Sequence, residues 1–378
     1  MATKAGLRAI PLLDLTRQYQ TLREPVQTAI MRVVESQRFI LGPDVDRFEQ
    51  RFAEYCGARH AIGCASGTDA LELALMAAGI GPGDEVLTVP FTFFATAGAI
   101  LSAGARPVFI DVEPASFNLD VQQLDRVLAE HPTIKAIIPV HLYGGCADMG
   151  LIVERAAARG IPVIEDAAQA VGAEYNHRRA GSIGTLGCFS FFPTKNLGGF
   201  GDGGMLTTND DTLARNLRAL RVHGSFERYI HQWPGMNSRL DALQAAVLNV
   251  KMDYLEGWNR ARRRHADLYR ELLSSVVTVP NTLPHQTNHV YNQFVIRAPR
   301  RDQLRTWLTE HGVGTEVYYP LPVHLQPALA SFGYQAGDFP VSERLAQEVL
   351  ALPIFAELTE EEIAAVANLI REFYGGSV

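Results

Sequence analysis

Hydrophobic residues along the chain follow two periods. Seven short segments, 60–64, 84–89, 107–110, 135–140, 162–164, 188–191 and 205–208, are apolar at nearly every position, and helix-length insertions separate several of them. Runs of that kind have no face to show to water, so they predict the strands of a mostly parallel, seven-stranded sheet flanked by helices. Ligands of such sheets collect beyond the strand ends. From 239 to 273 the period becomes helical: Leu240, Leu243, Val247, Val250, Tyr254 and Leu255 recur at that spacing, with no proline and a single glycine. This segment reads as a helical link to a second unit. There, 289–297 reads as a strand and 301–311, 342–350 and 360–373 as helices. The organisation predicted is a large α/β domain with its N-terminal segment over residues 1–250 and a small C-terminal α+β domain over 251–378.

At 378 residues and 47% apolar content the chain can bury a large core. A formal charge of -7 excludes a surface built for nucleic acid or anionic membrane, where lysine and arginine dominate. Arg260, Arg262, Arg263 and Arg264 form a basic cluster, but Glu256 and Asp267 beside it predict a solvated, ion-paired helix face. Cys56, Cys64, Cys146 and Cys188 are widely spaced without a CxxC pair, which fits reduced thiols of a cytoplasmic protein. Residues 92–110 are rich in small apolar side chains, yet Gly98, Gly104, Arg106 and Pro107 interrupt them short of a bilayer span. Residues 1–10 carry Lys4 and Arg8 without a long apolar run, so no leader is expected. His285 and His289 stand four apart in a loop-like stretch without an HExxH pattern, and no metal site is expected.

The candidate chemistry sits at the predicted strand ends. Cys64-Ala65-Ser66-Gly67-Thr68-Asp69 places a small-residue turn between a strand and an Ala/Leu-rich helix. Free backbone N–H groups at such a helix start suit a phosphate, although the same turn serves as a plain helix cap. Asp166 ends an apolar run, where a buried acid needs a cationic partner or else caps the next helix; Gln169 follows one turn later. Lys195 lies in a Gly-rich loop after Phe189-Ser190-Phe191-Phe192-Pro193, whose rings are expected to desolvate the amine and favour its nucleophilic form. Ser190 could add a further phosphate donor. Phe93 could stack on a flat ring or belong to the core. An amine and a carboxylate so placed are what a pyridoxal phosphate enzyme needs: one holds the aldehyde covalently, and the other keeps the pyridine nitrogen protonated.

Taken in order, these segments resemble the nucleotide-sugar aminotransferases of the DegT/StrS group, pyridoxal phosphate enzymes of fold type I. The likeness runs through Ser66-Gly67-Thr68, Pro139-Val140-His141-Leu142-Tyr143-Gly144, Glu165-Asp166-Ala167-Ala168-Gln169, the Lys195 loop, Asn237-Ser238-Arg239-Leu240-Asp241 and Tyr319-Pro320-Leu321-Pro322-Val323-His324. It implies that Lys195 anchors the cofactor and moves protons, Asp166 pairs with the ring nitrogen, and Gln169 contacts the ring hydroxyl. Gly67, Thr68 and Ser190 would hold the phosphate, and Phe93 would lie on the ring face. Asn237 would reach the cofactor of the other subunit of a homodimer, while Tyr319 and His324 would line the sugar pocket. One subgroup of the family dehydrates its substrate and carries His where this chain has Lys195. The implied reaction is therefore transfer of an amine from L-glutamate to a nucleotide-linked keto-deoxysugar, such as a dTDP-3-keto-6-deoxyhexose. Gly201-Asp202-Gly203-Gly204 looks more like the 3-keto group than the 4-keto group. Dehydration, or a non-catalytic regulatory relative, is the alternative.

Overall fold

A computed structural model describes residues 9–375; residues 1–8, most of the stretch read for a leader, lie outside them. The seven expected strands are present as β1 (His60–Cys64), β2 (Glu85–Thr88), β3 (Arg106–Phe109), β4 (Ile134–Ile137), β5 (Ile164–Asp166), β6 (Leu186–Ser190) and β7 (Gly204–Thr208). β7 runs antiparallel between β1 and β6, β6 is parallel to β5, and β2 lies parallel between β3 and β4. The bridges Ile137–Val163 and Val140–Asp166 join the two groups into one sheet, ordered β1-β7-β6-β5-β4-β2-β3. Six strands point the same way.

Covering both faces explains the unbroken apolar runs. Alternate residues of β6 enter opposite layers. Phe189 and Phe191 pack on the rings of Phe48 and Phe52, with Phe189 4.9 Å from Phe52 and Phe191 5.2 Å from Phe48. Leu186 and Cys188 join Ile62, Leu71 and Leu206 on the other side. Each buried phenylalanine contributes roughly 1.5–3 kcal/mol. All four cysteines are buried and free, and no helix among the described residues is long and apolar enough to cross a membrane.

Register brings the strand ends together. Gly204, first in β7, pairs with both Cys64 of β1 and Ser190 of β6, and Asp166 pairs with Cys188. A Cβ on Gly204 would stand 2.2 Å from the Ser66 carbonyl oxygen, so the turn after β1 folds across this strand only because the side chain is missing.

The C-terminal part departs from expectation in four places. The single helix over 239–273 is two, Ala242–Lys251 and Leu255–Leu273. Between them the backbone tightens to i→i−3 bonds, Asp253 to Val250 and Tyr254 to Lys251, and the chain turns. Periodicity misses the break because both halves keep helical spacing. The strand expected over 289–297 is only β8 (Phe294–Arg297); Tyr291 has φ +44°, and Asn292 leaves the sheet to donate to Asn196 Oδ1 at 2.9 Å. The helix expected over 342–350 is Pro340–Glu348, followed by strand β9 (Val349–Leu352), which pairs antiparallel with β8. β9 is buried at all four positions, which erases the alternation that marks a half-exposed strand. Finally, Arg262 is not on a solvated face. It is 4% exposed and donates to the carbonyls of Tyr291, Asn292 and Ile354, and burial pulls its guanidinium down to about 10.

Candidate active site

Three strand ends converge on one place. After β1 the chain turns into the helix Gly67–Ala77, whose N-cap Ser66 accepts from Asp69 N at 3.1 Å and donates to Asp69 Oδ1. The cap uses the third N–H of the turn and leaves those of Gly67 and Thr68 unclaimed within the described residues. Ser190, at the end of β6, lies directly behind: a Cβ on Gly67 would meet Ser190 Cβ at 2.6 Å. Gly67, Thr68 and Ser190 thus form a cradle of two N–H groups and nearby hydroxyls, closed to any larger residue at position 67.

Asp166, 5% exposed at the end of β5, accepts from Thr96 Oγ1 at 2.8 Å and from Ala168 N at 3.2 Å. Burial pushes its carboxyl up, and Thr96, Ala168 N–H and the charge of Lys195 pull it back. Its neighbour Glu165 points the other way into a closed cluster. There it accepts from Gly181, Ile183 and Gly184 N–H groups and pairs with His141 Nε2 at 2.9 Å. Because His141 Nδ1 accepts from Ala147 N, Nε2 carries the proton. Burial alone would raise Glu165, but His141 and these amides hold it below its ordinary value. The cluster clamps β5 and thereby the backbone of Asp166, whose carbonyl accepts from His141 N.

Gln169 is fixed at both ends, Oε1 accepting from Tyr143 N at 2.7 Å and Nε2 donating to the Tyr319 hydroxyl at 3.1 Å. Tyr319 faces Phe93, with ring centroids 6.0 Å apart and planes 39° from parallel; Phe93 is 57% exposed and so belongs to no core. Lys195 is part-buried, and among the described residues its amine has no hydrogen-bond partner. Burial pulls it down to about 8, while the charge of Asp166 opposes that shift. Of the rings expected to desolvate it, Phe189 and Phe191 turn into the core and Phe192 is 50% exposed. The loop is instead held from below, where buried Lys251 donates to Gly198 O at 2.7 Å and Asn196 donates to Asn259 and to Val290 O.

Two expected residues lie outside this group. Asn237 is exposed beside Ser238, whose hydroxyl accepts from Ala65 N at 3.1 Å in the turn leading to Gly67. His324 has a fully buried side chain, Nε2 against Glu343 at 3.2 Å and its ring 4.8 Å from Phe339. It braces a loop within an apolar layer of Phe109, Leu329 and Phe339. Sequence reading missed Thr92, Thr96, His141, Glu165 and Lys251. The stretch Thr92-Phe93-Phe94-Ala95-Thr96 stands out in the sequence for its ring, but nothing local signals that Thr96 faces an acid 70 positions away.

The arrangement matches known proteins over nearly its whole length. The sequence profile of the DegT/DnrJ/EryC1/StrS aminotransferase family fits residues 20–371. The chain belongs to that family. Among its relatives are a "pleiotropic regulatory protein" of Geobacillus stearothermophilus (51% identical, covering 97% of this chain and 98% of the relative) and a UDP-N-acetyl-3-dehydro-α-D-glucosamine 3-aminotransferase of Acidithiobacillus ferrooxidans (46%, 97% and 99%). A third, from Streptomyces venezuelae, is named dTDP-3-amino-3,4,6-trideoxy-α-D-glucose transaminase (43%, 99% and 98%). Among solved structures, S. venezuelae DesV in complex with a ketimine intermediate superposes with a TM-score of 0.95 (42% identical, 98% of this chain and 100% of that one). NtdA of Bacillus subtilis with bound cofactor PMP superposes at 0.90 (30%, 97% and 85%). The fold is that of the pyridoxal phosphate-dependent sugar aminotransferases, and pyridoxal phosphate is the cofactor expected here. The residues present fit it. Among the described residues, a cradle of free N–H groups suits a phosphate, a buried carboxylate has no cation in contact, and a depressed amine stands unpaired nearby.

Proposed function

We propose that this member of the family transfers an amino group from L-glutamate to the keto carbon of a nucleotide-linked keto-deoxysugar, with dTDP-3-keto-6-deoxyhexose as the substrate. The observation that carries this reading is the pairing of an unpartnered Lys195 amine, held near 8, with the buried carboxylate of Asp166 at adjoining strand ends. When bound, pyridoxal phosphate supplies an electron sink and the carbon that carries the amine between the two substrates. Gly67 N–H, Thr68 and Ser190 bind the phosphate, Phe93 lies against the ring and Gln169 turns its free amide proton to the ring hydroxyl. Asp166 stays ionised and keeps a proton on the ring nitrogen. Lys195 Nζ, neutral in a good fraction of molecules near pH 8, would move a proton from the donor's α-carbon to the cofactor carbon that receives the amine, and from that carbon to the keto carbon of the acceptor in the second half of the cycle.

Tyr319 closes the sugar side, and the small domain over 251–378 carries it. The working unit is a homodimer in the cytoplasm in which Asn237 reaches the partner's cofactor. The exposure of Asn237 supports its reach to a partner, and the 3-amino sugars named in two relatives together with Asp202 in Gly201-Asp202-Gly203-Gly204 support the 3-keto substrate. The test is amine transfer from L-glutamate to dTDP- and UDP-linked 3-keto and 4-keto sugars, followed by mass spectrometry of the product. Lys195→Ala should abolish turnover and covalent cofactor attachment together, and Asp166→Asn should weaken cofactor retention and turnover together. Normal turnover in either variant would refute its assigned role.

The relative named as a regulatory protein favours a second reading, a chain that binds the cofactor and signals without turnover. Cofactor uptake with no amine transfer to any of the four sugar classes would support it.

A further inference from the structure

We propose that Thr96, backed by Thr92, is a positioning residue for the reaction, its hydroxyl holding Asp166 ionised and aimed at the ring nitrogen of the cofactor. The inference rests on the cofactor reading above. Thr96 and Thr92 are 1% and 3% exposed, so neither hydroxyl is there to meet water. Thr96 Oγ1 stands 2.8 Å from Asp166 Oδ2 and 3.0 Å from Thr92 Oγ1. An ionised carboxylate only accepts, so the single proton of Thr96 is committed to it, and Thr92 must donate to Thr96. The two hydroxyls therefore form a one-way donor chain ending on the acid, each bond polarising the next.

Thr96 is the one side chain hydrogen-bonded to Asp166 among the described residues; the other contact is the longer one from Ala168 N. Two donors, one on each oxygen, set the plane of the carboxylate while leaving each oxygen a further lone pair. The same helix start that presents Phe93 to the ring face thus also sets the acid at the ring's far end. The chain opposes burial, which favours the neutral acid that could not serve a pyridinium. The other titratable groups that face Asp166 are Lys195, His141, Cys188 and Tyr319. Cys188 and Tyr319 are held neutral by burial, so Thr96 leads the opposition, followed by the Ala168 N–H, Lys195 and His141.

Thr96→Val keeps the shape and removes the donor; Thr96→Ser keeps the donor and removes a methyl. The first readout needs no cofactor: the Asp166 carboxyl is followed by carbon-13 NMR in the cofactor-free protein, its resonance identified by its loss in Asp166→Asn. Thr96→Val should bind the proton about ten- to a hundredfold more tightly, as expected for loss of a hydrogen bond to a charged group, whereas Thr96→Ser should titrate like the wild type. The second readout is the dissociation constant of pyridoxal phosphate by fluorescence titration, about tenfold weaker in Thr96→Val and restored in Thr96→Ser. If the wild type binds pyridoxal phosphate and Thr96→Val both titrates and binds like it, the assignment of Thr96 is wrong. It is equally wrong if Thr96→Ser is as impaired as Thr96→Val, because the methyl group would then be what matters. If the wild type takes up no pyridoxal phosphate while Thr96→Val still moves the titration, the cofactor reading fails, and the purpose given to the pair falls with it.

Discussion

Burying an amine without a partner should cost this protein stability that its function requires, and Lys195 lets that cost be measured. Holding the amine near 8 instead of its ordinary 10.5 corresponds to about 3 kcal/mol of unfavourable burial of the charged form. Part of the side chain still sees water, and screening brings the expected figure to roughly 1–3 kcal/mol. The sign follows from proton counting. Between pH 8 and 10.5 the unfolded chain keeps the proton that the folded chain has lost, so stability rises with pH across that window. Below pH 8 the whole cost is present; above 10.5 it is gone. Lys195→Met keeps the aliphatic stem and removes the charge, so the cofactor-free variant should be about 1–3 kcal/mol more stable than wild type at pH 7, and no more stable at pH 10.5. The assay is urea denaturation of both cofactor-free proteins at the two values. Comparing variant with wild type cancels Lys251, whose amine burial also holds near 8. A variant no more stable at pH 7, or equally stabilised at both pH values, would show that the amine is solvated in the folded protein. The reading of Lys195 as a preformed nucleophile would then be lost.

Other substitutions probe the frame around it. Gly67→Ala brings a methyl to within 2.6 Å of Ser190 Cβ and should cost about 1–3 kcal/mol in urea denaturation, with weaker phosphate binding by isothermal titration. Ser190→Gly in the same background should recover part of the loss. Glu165→Ala strips His141 and three amides of their acceptor and should destabilise by about 3–5 kcal/mol. Because Glu165 is held below its ordinary value, its contribution is present above that value and lost as pH falls through the folded one; acid denaturation curves of the variant should flatten on that limb. Thr359→Ala removes one half of the capping box of the helix Glu360–Phe373 and should lower thermal stability by about 0.5–2 kcal/mol without touching cofactor affinity.

What the sequence by itself determined is the sheet and the inventory of its strand ends. Each strand is a dense apolar run bounded by turn residues, a signal complete within five or six positions, and the residues that carry chemistry follow such runs directly: Ser66 after β1, Asp166 on β5, Lys195 after β6. The tertiary structure decided everything that depends on a contact between distant segments. It placed Thr96 on Asp166, closed Gly67 against Ser190 and laid the Ser66 turn over Gly204. It also took Arg262 out of water to hold three carbonyls, broke the long helix at Asp253, and turned His324 inward to Glu343. Local patterning records which residues prefer burial and at what period; it carries no record of which buried groups satisfy one another. Hydrogen bonds and close approaches between distant segments exist only once the chain has closed on itself.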